Sequence, residues 1–433
     1  MKQVLRLVFC LTIIINCLAL GAPIAFITDI EGSKTKLKKF MAEHELFYRG
    51  DDKRFHLRPK AHFVCGGDVT DRFFGDTTVV RELLRLKAEA PSRVHLLAGN
   101  RDMNKIRIFC ELSRKALEQE PWEFAKEWRL WLKIKGLKDN RVNRLHWILA
   151  ETMGAPSAFE LRRKELTEKN LPNTDEDIVD SFIKETAPGS PFALLLSLSV
   201  VIAKVENTVF VHGGLTPENI GRVPGAKRVF KDVDEWTVRL NRWYRLNLLD
   251  WRIKAASWNG RAPFPGINLV TYSRKTDLHV NNPISVVYNR TTDDANKVKL
   301  PSAEVISYLL ENGINRLALG HTPSGQIPVI LRSPKDDFET IVADNSYGQM
   351  KEQPSFVTFN GDNTSIRSLL RVDGNPLEVN FTTKLGQKSM IGKRQSNGSV
   401  IVAETEDSYI NYQLKPGFKV VYTQSPKVVT LNH

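Results

Sequence analysis

The chain has 433 residues, of which 42% are apolar and 26% charged, and its formal net charge is +13. This composition excludes a disordered or collagen-like chain, and the length is too great for one simple core. One large domain with an insertion, or two domains, is expected. The positive charge is dispersed, with no long basic run and no interleaving of basic and aromatic residues. It suits a solvated basic surface or attraction of an anionic partner; nucleic acid is not expected.

In chain order, Met1 to Gly21 opens with Lys2 and Arg6, continues as an apolar run broken only by Thr12 and Asn16, and ends in Ala19-Leu20-Gly21. The run is shorter than the ~20 residues of a spanning helix, and the pattern is that of a cleaved signal peptide. An exported protein is expected, in a periplasm, an extracellular space or a secretory lumen. Removal of Lys2 and Arg6 leaves +11, and Cys10 and Cys17 leave with the segment. Cys65 and Cys110 remain, as one bridge or as two buried thiols. Sequons stand at Asn289, Asn363, Asn380 and Asn397, and they matter only where the source glycosylates. No later run is long and apolar enough to span a membrane; Pro191 to Ala203 reads as a core helix.

Five apolar runs end in polar residues beside glycine. Ile24 to Thr28 enters Asp29-Ile30-Glu31-Gly32. His62 to Cys65 enters Gly66-Gly67-Asp68-Val69-Thr70-Asp71-Arg72. Val94 to Leu97 enters Gly99-Asn100-Arg101-Asp102. Thr208 to Val211 enters His212-Gly213-Gly214-Leu215-Thr216-Pro217, and Arg316 to Leu319 enters Gly320-His321. Open α/β sheets place their ligands just past strand ends. One such loop is often only a turn, but five carrying Asp, Glu, Asn or His together point to metal ions and a phosphate.

Between these loops the spacing predicts helices over 33–46 and 77–90. The block 111–189 is charged, Trp-rich (Trp122, Trp128, Trp131) and free of ligand-like loops. Helices are predicted there over 111–135, 140–153, 157–170 and 176–185, as an insertion covering the site. Val233 to Ile253 carries a Trp/Tyr stripe that reads as core. Strands are predicted at 327–331 and 340–343, and 355–422 alternates β runs with turns, extending the core or forming a small appendage. The resulting division is 1–21 signal, 22–110 with 190–350 as core, 111–189 insertion, and 351–433 β-rich extension.

Carboxylates, an amide oxygen and imidazoles suit a pair of divalent cations. Two ions ~3.5–4 Å apart clamp a phosphate and activate a water for in-line attack, and one carboxylate, Asp68, would bridge them. Arg72 is placed to hold phosphate oxygens bidentately, or else to form a loop ion pair with Asp71. Lys105 and Arg107 add positive potential or lie on a plain helix face. Asp344 and Tyr347 approach the site or form a turn.

In order and content, these motifs resemble those of the calcineurin-like metallophosphoesterases, and His212 to Pro217 is most similar to the phosphoprotein phosphatase branch. Gly99-Asn100-Arg101-Asp102 suggests a divergent subgroup. The resemblance implies a four-layer αββα sandwich. It implies one metal on Asp29, Glu31 and Asp68, a second on Asp68, Asn100, His212 and His321, and a catalytic set of Arg72, Arg101 and Asp102. Two positions depart from the usual pattern. Glu31 stands where the family has His, which favours Mn²⁺ or Mg²⁺ over Zn²⁺ or iron, or weakens that site. Arg101 stands where a His is thought to protonate the leaving oxygen; arginine keeps its proton but stabilises anionic charge. A secreted metal-dependent phosphomonoesterase of the protein-phosphatase kind is therefore expected, better on phosphotyrosine and aryl phosphates than on phosphoserine. The alternatives are a nucleotide or small-molecule phosphoesterase and a catalytically weak phosphate- or phosphoprotein-binding module.

Overall fold

A computed structural model describes residues 21–427 apart from 74, 119–124, 262, 276–281, 294–296 and 347–352. The expected signal segment before Gly21, Trp122 and Tyr347 fall outside the described residues. The first strand, β1 (Ile24–Ile27), is buried along its whole length, as a continuous apolar run requires. A small hairpin of β2 (Phe47–Arg49) and β3 (Phe55–Leu57) follows, then β4 (His62–Cys65) and β5 (Val94–Leu96). β4 runs parallel to both β1 and β5. After the helical block come β6 (Ile202–Val205), β7 (Thr208–Val211), β8 (Arg316–Pro323), β9 (Val329–Arg332) and β10 (Glu339–Asp344). β7, β8 and β10 are parallel neighbours, with a register shift in β10 between Val342 and Asp344. β11 (Phe356–Asn360) returns antiparallel beside β1, and β12 (Asn363–Val372) and β13 (Asn375–Lys384) continue that sheet.

The result is a six-stranded sheet, β13-β12-β11-β1-β4-β5, facing a five-stranded one, β6-β7-β8-β10-β9. Phe210 meets Phe26 and Phe359 between them, with ring centroids 5.3 and 5.9 Å apart. Helix Lys34–Glu43 covers the first sheet, where Phe40 stacks on Phe356 at 5.8 Å. Helix Asp76–Glu89 buries Val79, Val80, Leu83 and Leu86, each contributing roughly 1.5–3 kcal/mol on full burial. Helix Val233–Lys254 covers the second sheet; its Asn241 bonds Val201 N and Ile202 O at 3.0 and 2.8 Å. Helix Ala303–Glu311 joins this layer through Tyr308, packed edge-on against Trp236. This is the αββα sandwich.

The Trp/Tyr stripe is core: Trp236, Tyr244 and Trp251 are fully buried. Cys65 and Cys110 are free and buried. Ser355 to Tyr422 does both things expected of it. β11 to β13 extend the first sheet, while β14 (Val400–Glu404), β15 (Ser408–Lys415) and β16 (Lys419–Pro426) form a separate three-stranded sheet.

Several helices are shorter than the periodicity suggests. Ser113 caps a new turn over Arg114–Leu117, because its hydroxyl accepts from Ala116 N, and this breaks the helix expected over 111–135. Arg141–Trp147 widens into a π turn over Ile148–Thr152, where Met153 N reaches back to Ile148 O. Ala158–Glu168 and Asp175–Glu185 follow, the latter opened by a Thr174/Asp177 capping box. Pro191 to Ala203 is not one helix: Pro191–Leu198 ends and β6 begins. The block has an apolar cluster of its own, including Ile108, Trp128, Leu145, Trp147, Phe159 and Phe182. No described helix is long and apolar enough to cross a membrane.

Candidate metal centre and phosphate site

Because β1, β4 and β5 are parallel, their last residues share one edge of the first sheet, and β7 and β8 end likewise in the facing sheet. The ligand-type loops therefore converge. One ligand atom each from Asp29, Asp68 and His212 lie within 4.8 Å of one another, all fully buried. His212 Nε2 is 3.3 Å from Asp68 Oδ1 and 3.0 Å from Asn100 Oδ1. His212 Nδ1 lies 2.8 Å from the Gly66 carbonyl, which fixes that nitrogen as a donor and aims Nε2 at the cluster. The His321 ring stands 5.4 Å from that of His212.

The backbone is held in an unusual form here. Asp29, Glu31, Asp68, Asp71 and His321 all have positive φ, between 49° and 89°. Each such non-glycine residue costs on the order of 1–3 kcal/mol. The loops hold one another in place: Asp29 N donates to Gly67 O, Glu31 N to Asp68 O, and Gly32 N to Val69 O. Gly67 and Gly99 are needed for this approach. A Cβ on Gly67 would stand 2.6 Å from Gly99 N, and one on Gly99 2.2 Å from Asp68 N.

The charges match a divalent ion. Burial, then Asp344 and Asp68, push the Asp29 carboxyl well up, against His212. Burial alone would raise Asp68, but Arg101 and His212 hold it far below the usual range. Burial would lower His212, yet Asp68 and Asp29 raise it to about 9. Burial, Arg290 and His212 keep His321 low, so its ring is neutral. Asp29 Oδ1, Glu31 Oε2 and His321 Nε2 are buried without a hydrogen-bond partner among the described residues, which is costly unless something else satisfies them. The donor set of Asp29, Asp68, Asn100, His212 and His321 fits one divalent cation.

Glu31 differs. It lies outside the Asp29–Asp68–His212 group. Arg101 places Nη2 2.5 Å from Glu31 Oε1 and 2.9 Å from Asp68 Oδ2. Arg72 Nη1 is 3.4 Å from the same Glu31 oxygen, while its Nε and Nη2 donate to the Gly154 carbonyl at 3.3 and 3.0 Å. Arg101 is buried, and Arg72 is part-exposed beside Glu31. Glu31, expected as a metal ligand, is ion-paired with Arg101 and Arg72 in this structure.

A calcineurin-like phosphoesterase profile matches residues 22–227. Those residues form a calcineurin-like phosphoesterase domain. Its fold is similar to that of a cold-active protein-tyrosine phosphatase of a psychrophile, Shewanella sp., at 14% identity over 82% of this chain and 80% of that one, with a TM-score of 0.43. A protein serine/threonine phosphatase from Saccharomyces cerevisiae matches at 12% identity over 83% and 80%, with a TM-score of 0.34. A putative diadenosine tetraphosphatase matches at 12% over 83% and 94%, with a TM-score of 0.31.

Other residues of this phosphoesterase fall differently from the sequence expectation. Asp102, expected in the catalytic set, is a buried brace: its oxygens accept from Gly99 N at 2.9 Å and Val69 N at 3.0 Å, tying two site loops together. Lys105 neither reaches the site nor faces solvent. Its ammonium is buried and donates to Thr70 Oγ1, Asp71 Oδ1 and Glu185 Oε1 at 3.1, 2.6 and 3.1 Å. Arg162 joins this network through Asp76 at 3.1 Å and through Glu185. Burial raises Asp76 to about 8 despite Lys105. Asp71 is thus ion-paired, but with Lys105 rather than Arg72. Arg107 is buried against Glu111 at 2.7 Å. Asp344 lies near enough to raise Asp29, and its Oδ1 accepts from Ser346 N at 3.0 Å.

Three neighbours of the phosphoesterase centre had no sequence signal. Lys36 sits on the helix after the first motif, where a lysine reads as exposed; it is fully buried and donates to Asp29 O at 2.8 Å. Arg290 Nη1 donates to His321 O at 2.6 Å, and the Tyr288 ring is 5.0 Å from the His321 ring. The sequon in that segment, Asn289, is buried.

Proposed function

We propose that this phosphoesterase is a metal-dependent phosphomonoesterase of the protein-phosphatase kind that favours phosphotyrosine and other aryl phosphates over phosphoserine. The observation that carries the reading is the buried Asp29–Asp68–His212 group, with the part-exposed side chain of Arg72 reaching the neighbouring Glu31. A divalent ion held by Asp29, Asp68, Asn100, His212 and His321 supplies Lewis-acid stabilisation of phosphoryl charge and an activated water. Mn²⁺ or Mg²⁺ suits the oxygen-rich part of that set. The chain's own groups do the rest. Gly66 O orients His212, Asp102 fixes the Asn100 turn against the Asp68 loop, and Arg72 offers two parallel donors to phosphate oxygens.

The leaving-group preference rests on position 101. Its guanidinium keeps its proton and is committed to Glu31 and Asp68. General acid catalysis contributes about 10²–10⁴-fold, and its loss weighs less on a phenol with pKa ~10 than on an alkyl alcohol. The test is phosphate release from phosphotyrosine and phosphoserine peptides by metal-stripped mature protein, with Mn²⁺, Mg²⁺ or Zn²⁺ restored, beside Asp68→Asn. We expect turnover that needs metal, falls at least a hundredfold in the variant, and is faster on phosphotyrosine. A higher phosphoserine rate would overturn the preference; no turnover with bound metal would leave a binding module. The segment before Gly21 supports export. N-terminal sequencing of the mature protein tests this, since a start near Ala22 supports it and a retained Met1 refutes it.

A further inference from the structure

Arg101 is buried among the acidic groups, where a cation is needed, and is less exposed than Arg72. Its Nη2 is 2.5 Å from Glu31 Oε1 and 2.9 Å from Asp68 Oδ2. An ion between those oxygens would need ligands at roughly 2.0–2.6 Å, so nitrogen and ion claim the same volume. The side chain is firmly placed. Arg101 N donates to Asp68 Oδ1 at 2.9 Å, and the residue lies in the first turn of the helix Asn100–Lys105, which Asp102 caps. The guanidinium is only 6% exposed. Glu31 also faces Arg72 at 3.4 Å, so two fixed positive charges stand where a dication would supply the same total. Glu31 and Arg101, which depart separately from the family pattern, are in contact across 70 positions of sequence.

We infer that the Arg101 guanidinium is a built-in cation occupying the position between Glu31 and Asp68, so that this centre holds one divalent ion, in the Asp29–Asp68–His212 pocket, rather than two. The inference rests on the proposed reading of the site as a metal centre. Arg101 is then a positioning and charge-balancing residue. Its guanidinium holds Asp68 ionised and oriented while the single ion sits on the other side of that carboxylate. Unlike a second metal, it cannot dissociate or lose its charge.

The test counts ions. Metal-stripped full-length protein is saturated with Mn²⁺, freed of excess, and analysed for manganese per chain and by electron paramagnetic resonance. We expect one Mn²⁺ per chain with the spectrum of an isolated ion. Arg101→Gln, which leaves Glu31 and Asp68 without the guanidinium, should gain a second, weaker Mn²⁺ and show an exchange-coupled pair. Two ions in the wild type would overturn the inference, as would one ion in both proteins. If Arg101→Gln does not fold, the wild-type count and anomalous scattering from Mn²⁺-loaded crystals decide, with one peak expected and two refuting. One ion without turnover of any phosphate ester defeats the hydrolase reading and leaves this inference standing. Turnover with two ions does the reverse, and no bound ion defeats both.

Discussion

At the scale of single residues, the site is built from atoms that have no alternative use. Asp102 spends both oxygens on the amides of Gly99 and Val69. Asp102→Asn keeps the shape but turns one acceptor into a donor facing an N–H. A buried amide left unpaired in this way costs about 1–3 kcal/mol, so denaturant unfolding should show a loss of that size. Mn²⁺ affinity should weaken with it, because Asn100 and Asp68 are held by those loops; unchanged affinity would show that Asp102 does not position them. The convergence of these side chains was legible in the sequence, since each is an Asp, Asn or His at the end of an apolar run beside glycine. The partnership of Glu31 with Arg101 was not. Pairs formed across two loops have no sequence spacing, so each departure looked like an isolated loss. Lys105 was misread, and Lys36 gave no signal, for a related reason: an amphipathic helix gives no sign that a lysine ammonium will meet buried carbonyls or carboxylates.

At the scale of elements, parallel strands explain why loops far apart in sequence meet, and continuous apolar runs made those strands readable. Helix ends were harder, because a hydroxyl such as Ser113 starts a new turn inside a periodic pattern. The helical block is tied to the Asp71 loop by Lys105, Arg162, Asp76 and Glu185. Burial alone would raise Glu185, but Arg162 and Lys105 hold its carboxyl at about 2, below the free value of 4.5. The stabilisation is therefore complete above pH 4.5 and lost as pH falls toward 2. Asp76, raised to about 8, is protonated in the folded state in that window but takes up its proton near 3.8 when unfolded, so its contribution has the opposite sign and partly offsets that loss. Glu185→Gln should cost about 3–5 kcal/mol at neutral pH, since two buried cations lose a partner. It should also flatten the fall of melting temperature between pH 4.5 and 2; an unchanged slope would place the acid sensitivity elsewhere.

At the scale of the whole molecule, the described residues form two apolar cores, one between and around the sheets and one inside the helical block. The sequence showed the boundary as a change of texture near Arg107, but not that charge would bridge it. Leu145 is fully buried in the second core. Leu145→Ala should cost about 2–5 kcal/mol there. Hydrogen exchange should show faster opening of the helices between Arg107 and Glu185, with β1, β4, β7 and β8 protected as before; equal loss in the strands would mean that the two cores open as one unit.

Arg72 already holds a partner, the Gly154 carbonyl, at the end of the π turn. On the proposed role of Arg72, phosphate capture at that guanidinium is an exchange of one oxygen for another, not a simple addition. Whatever the anion gains, the turn at Gly154 gives up. Occupancy of that guanidinium and tightness of the helical block become two readings of one equilibrium, visible in the response of that turn to inorganic phosphate.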